Sequence, residues 1–268
     1  MQGSNGEAQH LSHDERKEAI RLTRQTLDEH GHNSILVIAG TGAQSTRETK
    51  KLCIDAHAAG ASHALVLTPS TWPQYMSTEN ILRFHREVAD ASPIPTMIYN
   101  FPTVTAGLDL DSEIISALAA HPNIVGTKLS CGNIGKLHRL TSQFNPVTFA
   151  VFAGRSDVLV QGLVSGSCGA IAALVNILPK HHARLYALWK EGNIQEAMQL
   201  QAEFGHADWA ISKIGGIGGI KAIVNKHWSY GGPTVRGPLK PANLDSFTEN
   251  SHLDLLEILI AKEKALGL

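Results

Sequence analysis

Residues 35–68 read ILVIAGTGAQSTRETKKLCIDAHAAGASHALVLT, and the way this stretch divides decides the fold. Residues 35–40 are a short apolar run that stops at a glycine. Residues 45–59 carry Ser45 and Thr46 at their start and Gly60 just past their end, a fair pair of helix caps. Residues 64–68 form a second apolar run. Neither run alternates polar with apolar, which marks strands buried on both faces. Strand, helix and strand within about 30 residues make one βαβ unit, whose crossover is right-handed.

The unit repeats downstream. Short apolar runs recur at residues 96–99 (TMIY), 124–128 (IVGTK), 148–153 (TFAVFA) and 168–173 (CGAIAA), with helical stretches at 78–91 and 111–120 between the first of them. The strand ends Ala39, Thr68, Tyr99 and Lys128 follow one another at about 30 residues, and Ala153 and Ala173 come sooner. Repeated βα units allow a (β/α)8 barrel or an open doubly wound sheet. The open sheet needs a ligand loop at a switch point. Its early candidate, Gly40-Thr41-Gly42, lacks the third glycine of a dinucleotide fingerprint, and the next strand ends in Thr68 instead of an acid. The expected fold is therefore an α/β (β/α)8 barrel.

Beyond residue 173 the pattern is helical, at 179–190, 194–211, 218–227 and 252–265, with Gly231-Gly232-Pro233 and Arg236-Gly237-Pro238 marking loops. The organisation this predicts is a barrel over residues 1–178 and a C-terminal helical region over 179–268. Six strands are legible where eight are needed. Residues 1–4 read as the tail of another, so the predicted barrel lacks its first strand–helix unit.

Composition narrows the function classes. The chain has 268 residues, 43% hydrophobic, with a net charge of −1, and shows no basic stripe or acidic tail. Nucleic acid and anionic membrane are poor partners for such a chain. Cys53, Cys131 and Cys168 are far apart and odd in number, which argues against a disulfide framework or a zinc knuckle and for a reducing compartment. No apolar run approaches the ~18 residues of a membrane span. The expected location is the cytoplasm, with the mitochondrion as the alternative should a targeting segment precede Met1.

In a barrel the chemistry sits at the C-terminal ends of the strands. Of the strand ends read here, only 124–128 carries Lys, Asp or Glu: Lys128. The preceding strand ends in Tyr99, and adjacent strands bring their end residues together. Burial among apolar strands disfavours a charged amine, and a neutral amine attacks a ketone to form an imine. A neighbouring phenol can shuttle the protons. The plainer readings are a lysine that snorkels to water and an ordinary buried tyrosine.

The remaining motifs carry less. Gly215-Gly216-Ile217-Gly218-Gly219 lacks the Gly-Lys-Ser/Thr ending of a phosphate loop and reads as a turn or a close helix contact. His181-His182 opens a helix and reads as a solvated surface pair. His10 and His13 have no carboxylate at ligand spacing, so no metal site is expected. Asp157, after Gly154-Arg155-Ser156, reads as a helix cap.

Five motifs in order carry a resemblance. They are Gly3-Ser4-Asn5-Gly6-Glu7 followed by Leu11-Ser12; Ala39-Gly40-Thr41-Gly42; Tyr99-Asn100-Phe101-Pro102; Gly126-Thr127-Lys128; and Gly218-Gly219-Ile220-Lys221 with Tyr230-Gly231-Gly232-Pro233 and Arg236 to Leu239. Together they resemble the dihydrodipicolinate synthase / N-acetylneuraminate lyase superfamily of pyruvate aldolases. The branch nearest in look holds 4-hydroxy-2-oxoglutarate aldolases and fungal 2-keto-3-deoxy sugar-acid aldolases. The resemblance implies that Lys128 forms the imine with pyruvate and that Tyr99 is the general acid/base. It gives Ser4 and Asn5 the pyruvate carboxylate, with Ser4 also relaying a proton to Tyr99. Gly169 and Ile171 would line the pyruvate site, and Ser130 would face the second substrate.

Two departures stand out. The family tyrosine three residues after the Thr of its Thr-Pro pair is Thr71 here. No arginine follows the Tyr-Asn-Phe-Pro motif, where the sequence is Thr103-Val104-Thr105. The expected activity is a class I carbon–carbon lyase that cleaves a 4-hydroxy-2-oxo acid to pyruvate and an aldehyde, with no cofactor and no metal, in a homo-oligomer (tetramer or dimer). The alternatives are a dihydrodipicolinate synthase, joining pyruvate to aspartate semialdehyde, and a non-catalytic oligomeric barrel or 2-oxo acid sensor.

Overall fold

Five strands form one sheet in the order β1-β2-β3-β4-β5: β1 (Ile38–Gly40), β2 (His63–Leu67), β3 (Thr96–Asn100), β4 (Ile124–Leu129) and β5 (Ala150–Ala153). The first four pair in parallel. The computed structural model describes residues 2–247 and 251–266. Strand order equals chain order, so the sheet has no switch point where winding reverses. That excludes the doubly wound alternative and is the winding of a (β/α)8 barrel.

The chain divides into two compact units, Met1–Phe152 and Ala153–Leu268. The boundary expected at residue 178 falls inside the second. In the first unit, helices α1 (His13–Glu29), α2 (Thr46–Ala58), α3 (Thr78–Ala91), α4 (Ser112–Ala119) and α5 (Ile134–Thr141) alternate with the strands. Val37, Ala39, Ala64 and Val66 pack with Ile20 of α1, Cys53 and Ala56 of α2, and Phe84 and Val88 of α3 in one buried cluster. Four of the five helices are capped by the residue preceding them in the same way: Ser45, Ser77, Asp111 and Asn133 each accept a backbone N–H three residues on. The fifth, α1, has a full capping box, in which Ser12 accepts from Glu15 N–H and the Glu15 carboxylate accepts from Ser12 N–H. Sequence reading passed over α1 and α5. Ser12-x-x-Glu15 was the sign of the first; the second is short.

The second unit holds α6 (Leu159–Val164), α7 (Pro179–Lys190), α8 (Ile194–Lys213), α9 (Ile217–Trp228) and α10 (Ser251–Ala265). Phe204, Leu185, Ile223, Leu256 and Leu259, all fully buried, belong to its core. The sixth expected strand, 168–173, is reduced to one bridge between Ala153 and Ala170. Gly166 and Gly169 both have positive φ there, and glycine-rich backbone holds extended pairing poorly.

Two weaker expectations are corrected. His181 and His182 are buried, not solvated: His181 bonds to the buried Glu263 carboxylate, and His182 lies between Ser156 Oγ and the Leu178 carbonyl, stacked on Phe204. Two adjacent helix positions face different neighbours, and here both neighbours are protein. Asp157 caps nothing. It pairs with Arg155, whose Nε also lies 3.8 Å from Asp208 Oδ2. His13 does meet carboxylates, Glu48 and Asp55, but across 35 residues or more of chain, a distance that local spacing does not reveal. The Gly215–Gly219 run is a close helix contact, since a Cβ on Gly219 would stand 2.5 Å from the Ile214 carbonyl oxygen.

Candidate active site

Tyr99 and Lys128 are direct partners in the β3–β4 register. The strand ends expected to meet do so. Lys128 Nζ stands 4.1 Å from the centre of the Tyr99 ring. Tyr99 is 4% exposed, whereas Lys128 keeps partial access to solvent. The phenol ring is stacked on Phe101, centroids 5.7 Å apart. Cross-strand ties fix the backbone around the pair: Thr127 Oγ1 donates to the Ile98 carbonyl at 3.2 Å, and Ser130 N–H donates to the Asn100 carbonyl at 2.9 Å. Ser130 itself is 8% exposed. At Gly126 a Cβ would meet the Ala150 carbonyl oxygen at 2.4 Å, so glycine is what lets β5 approach two residues before the lysine.

The segment Gly3–Glu7 brings Ser4 to the same end of the sheet. A narrow pocket is lined by Ser4, Gly3, Gln9, Gly42, Leu67 and Tyr99, among others. Ser4 Oγ is buried and without a hydrogen-bond partner among the described residues, a costly state that a substrate atom could relieve. Asn5, by contrast, is exposed. The glycines of both early motifs have a steric reason. A Cβ on Gly40 would meet the Gln2 carbonyl oxygen at 2.1 Å, one on Gly6 the Gln2 Cα at 2.7 Å, and one on Gly42 the Leu67 backbone nitrogen at 2.6 Å. Gly40 N–H donates to the Gln2 carbonyl at 3.0 Å, holding the residue 2–3 segment beside β1.

Gly169 and Ile171 lie in the second unit, flanking the Ala153–Ala170 bridge. The Gly169 carbonyl accepts from Ala153 N–H, and Ile171 N–H donates back to the Ala153 carbonyl. Gly169 has φ of 135°, a backbone state open to glycine. Thr71 is bound to Gln44, whose Oε1 accepts from Ser70 N–H, Thr71 N–H and the Thr71 hydroxyl. A surface depression on α3, among Thr78, Arg83, Arg86, Glu87 and Asp90, contains neither Tyr99 nor Lys128.

One polar cluster escaped sequence reading. Asn100, 1% exposed, accepts Leu110 N–H on Oδ1 at 3.0 Å and donates from Nδ2 to Asp109 at 2.7 Å. The same Asp109 oxygen takes the ammonium of Lys136, which is 3% exposed. Burial pushes the Asp109 carboxyl up, but the hydrogen bonds from Asn100 and Lys136 and the Lys136 charge outweigh it and hold it below the usual carboxylate range. No spacing rule links positions 100, 109 and 136. Among the described residues no group of three or more His, Cys, Asp or Glu could hold a metal, and no helix is long and apolar enough to cross a membrane.

The sequence profile of the dihydrodipicolinate synthetase family matches residues 1–254. The chain belongs to that family. Among curated proteins, one of Emericella nidulans named "Probable 4-hydroxy-2-oxoglutarate aldolase, mitochondrial" is 45% identical over 260 residues, covering 95% of this chain and 84% of that one. An L-threo-3-deoxy-hexylosonate aldolase of Aspergillus niger is 38% identical over 253 residues, covering 86% of this chain and 75% of that one. Among solved structures, a dihydrodipicolinate synthase family protein from Coccidioides immitis superposes with a TM-score of 0.84 at 33% identity, covering 99% of this chain and 84% of that chain. A prophage protein of the same family from E. coli K12, solved in complex with pyruvate, gives a TM-score of 0.84 at 27% identity, covering 98% and 85%. The family's barrel is thus the fold of this chain.

Proposed function

We propose that the chain is a class I, Schiff-base-forming aldolase that cleaves a 4-hydroxy-2-oxo acid to pyruvate and an aldehyde. The observation that carries this is the amine of Lys128 set against the buried Tyr99 ring at adjoining strand ends. The names of relatives at 38% to 45% identity support the same reading.

In this reading Lys128 Nζ adds to C2 of the substrate, the carbinolamine oxygen leaves as water with a proton given by Tyr99, and a protonated imine remains. Tyr99, having given up that proton, takes the proton of the 4-hydroxyl. The C3–C4 bond breaks, the aldehyde departs, and the bonding pair moves through C3 to the iminium nitrogen as an enamine. Tyr99 returns its proton to C3, water adds to the imine and releases pyruvate and the free amine, and the proton set free goes back to Tyr99. Ser4 Oγ serves the carboxylate and relays a proton to Tyr99. Asn5 supports it from its exposed position, and Ser130 faces the aldehyde half. Electrons balance within the substrate, so no cofactor enters.

A synthase acting on aspartate semialdehyde is the weaker reading. The synthases among the relatives stand at 34% and 33% identity, and Thr103-Val104-Thr105 offers no cation for a second carboxylate. We propose a homo-oligomer, and the cytoplasm as location. The names of relatives from E. nidulans and Coccidioides immitis support the mitochondrion as the alternative.

Borohydride added with pyruvate should leave a reduced adduct on Lys128, read by peptide mass. A folded sample without that adduct ends the proposal. Turnover of 4-hydroxy-2-oxo acids followed with a pyruvate-coupled dehydrogenase separates an aldolase from a sensor that binds 2-oxo acids without releasing pyruvate.

A further inference from the structure

We propose that Asp109 is a positioning residue for the Tyr99–Lys128 pair, acting through a clamp that joins the end of β3 to α5; this rests on the aldolase reading above. The clamp is a closed circuit. Asn100 follows Tyr99 in the chain, and its carbonyl takes Ser130 N–H, two residues past Lys128. From Ser130 the chain enters α5, where Asn133 Oδ1 accepts Lys136 N–H at 2.8 Å and so places Lys136 on the first turn. The Lys136 ammonium and Asn100 Nδ2 then converge on one Asp109 oxygen. The phenol and the amine sit on the two strands this circuit encloses.

The clamp has a physical reason to be stiff. Both ends of the Asn100 amide are used, so its rotation is blocked. Lys136 is almost fully buried, and Asp109 is the carboxylate it meets. A buried ammonium without its carboxylate must move toward water, and that movement carries the start of α5 with it. Asn100 loses its partner in the same event. Misplacing reacting groups by about 1 Å costs on the order of 100-fold in rate.

The test compares Asp109→Ala, Asp109→Asn and Lys136→Met with the unsubstituted protein. Asparagine keeps an oxygen that can accept both bonds, and methionine removes the buried charge at similar volume. We expect kcat for pyruvate release to fall roughly 10- to 100-fold in Asp109→Ala and in Lys136→Met, with KM changed about threefold or less and a displaced kcat–pH profile. Asp109→Asn recovers most of the loss. Borohydride trapping of pyruvate on Lys128 slows in step with kcat. Thermal unfolding and circular dichroism, run on each variant, score the rates per folded molecule. If the unsubstituted protein gives no Lys128 adduct, both this inference and the aldolase reading fall. If it gives one, and the folded variants match its kcat, its trapping rate and its pH profile, the clamp alone is overturned. A loss of activity that tracks the folded fraction with an unmoved pH profile overturns it equally.

Discussion

The Lys128 amine lies over the face of the Tyr99 ring, 4.1 Å from its centre, with the two residues opposite each other in a parallel register. The ring face holds electron density toward a cation, and the hydroxyl at the ring's edge stays available for proton transfer. Tyr99→Phe keeps the ring and removes the hydroxyl. It should lower kcat by about 10² to 10⁴-fold, the usual worth of a general acid/base, while pyruvate adduct on Lys128 still accumulates under borohydride. Equal kcat in Tyr99→Phe and the unsubstituted protein would remove Tyr99 from the mechanism.

Ser4→Ala separates function from stability. The Ser4 hydroxyl is buried and makes no hydrogen bond among the described residues, so its removal should leave the urea midpoint unchanged or raised. Steady-state kinetics should nonetheless show a loss of about tenfold in kcat/KM or more, worth roughly 1.4 kcal/mol. A variant that is less stable and fully active contradicts the role given to Ser4.

Glu263 holds the start of α7 from α10. Its carboxylate accepts Lys180 N–H at 2.7 Å and His181 N–H at 3.0 Å and bonds the His181 ring. Both His181 and Glu263 are buried. Glu263→Ala leaves these donors orphaned and should cost about 3 kcal/mol of stability, with Glu263→Gln costing less because one carbonyl oxygen remains. Urea unfolding of the two variants checks the order; a loss under about 0.5 kcal/mol in Glu263→Ala would contradict it.

His85 makes stability depend on pH. Burial pushes its imidazole from 6.5 down to about 3, with Thr68 Oγ1 hydrogen-bonded to Nε2 at 3.1 Å. The folded protein refuses a proton that the unfolded chain accepts. The His85 contribution is thus fully present above pH 6.5 and is lost steadily as pH falls toward about 3. In His85→Gln the decline of the urea midpoint between those limits should be shallower than in the unsubstituted protein. Parallel curves would show that His85 does not drive it.

Much of this is legible in the sequence. The strand rhythm is visible because strands buried on both faces are written as unbroken apolar runs, and Lys128 is conspicuous as a charge inside one of them. Tyr99 follows from Lys128 because βαβ winding makes successive strands neighbours. The apolar run Cys168–Ala173 predicts a longer strand than forms, since glycine leaves its backbone too free to pair for long. The sequence does not reveal the burial of the histidines at 181 and 182, because a polar helix start looks the same whether water or a distant carboxylate satisfies it.

What the amino-acid order determined unaided is periodic and local: the alternation of strands and helices, the cap at Ser45, and the pairing of residue 99 with residue 128 that sequential winding enforces. What only the tertiary structure decided is every contact between residues far apart in the chain, such as Asn100 with Asp109 and Lys136, Ser156 with His182, or Gln2 with Gly40. The reason is physical. A helix or strand repeats its own geometry and leaves that period in the sequence, whereas a buried polar group needs one partner at one place, and nothing in the chain between them records where that partner is.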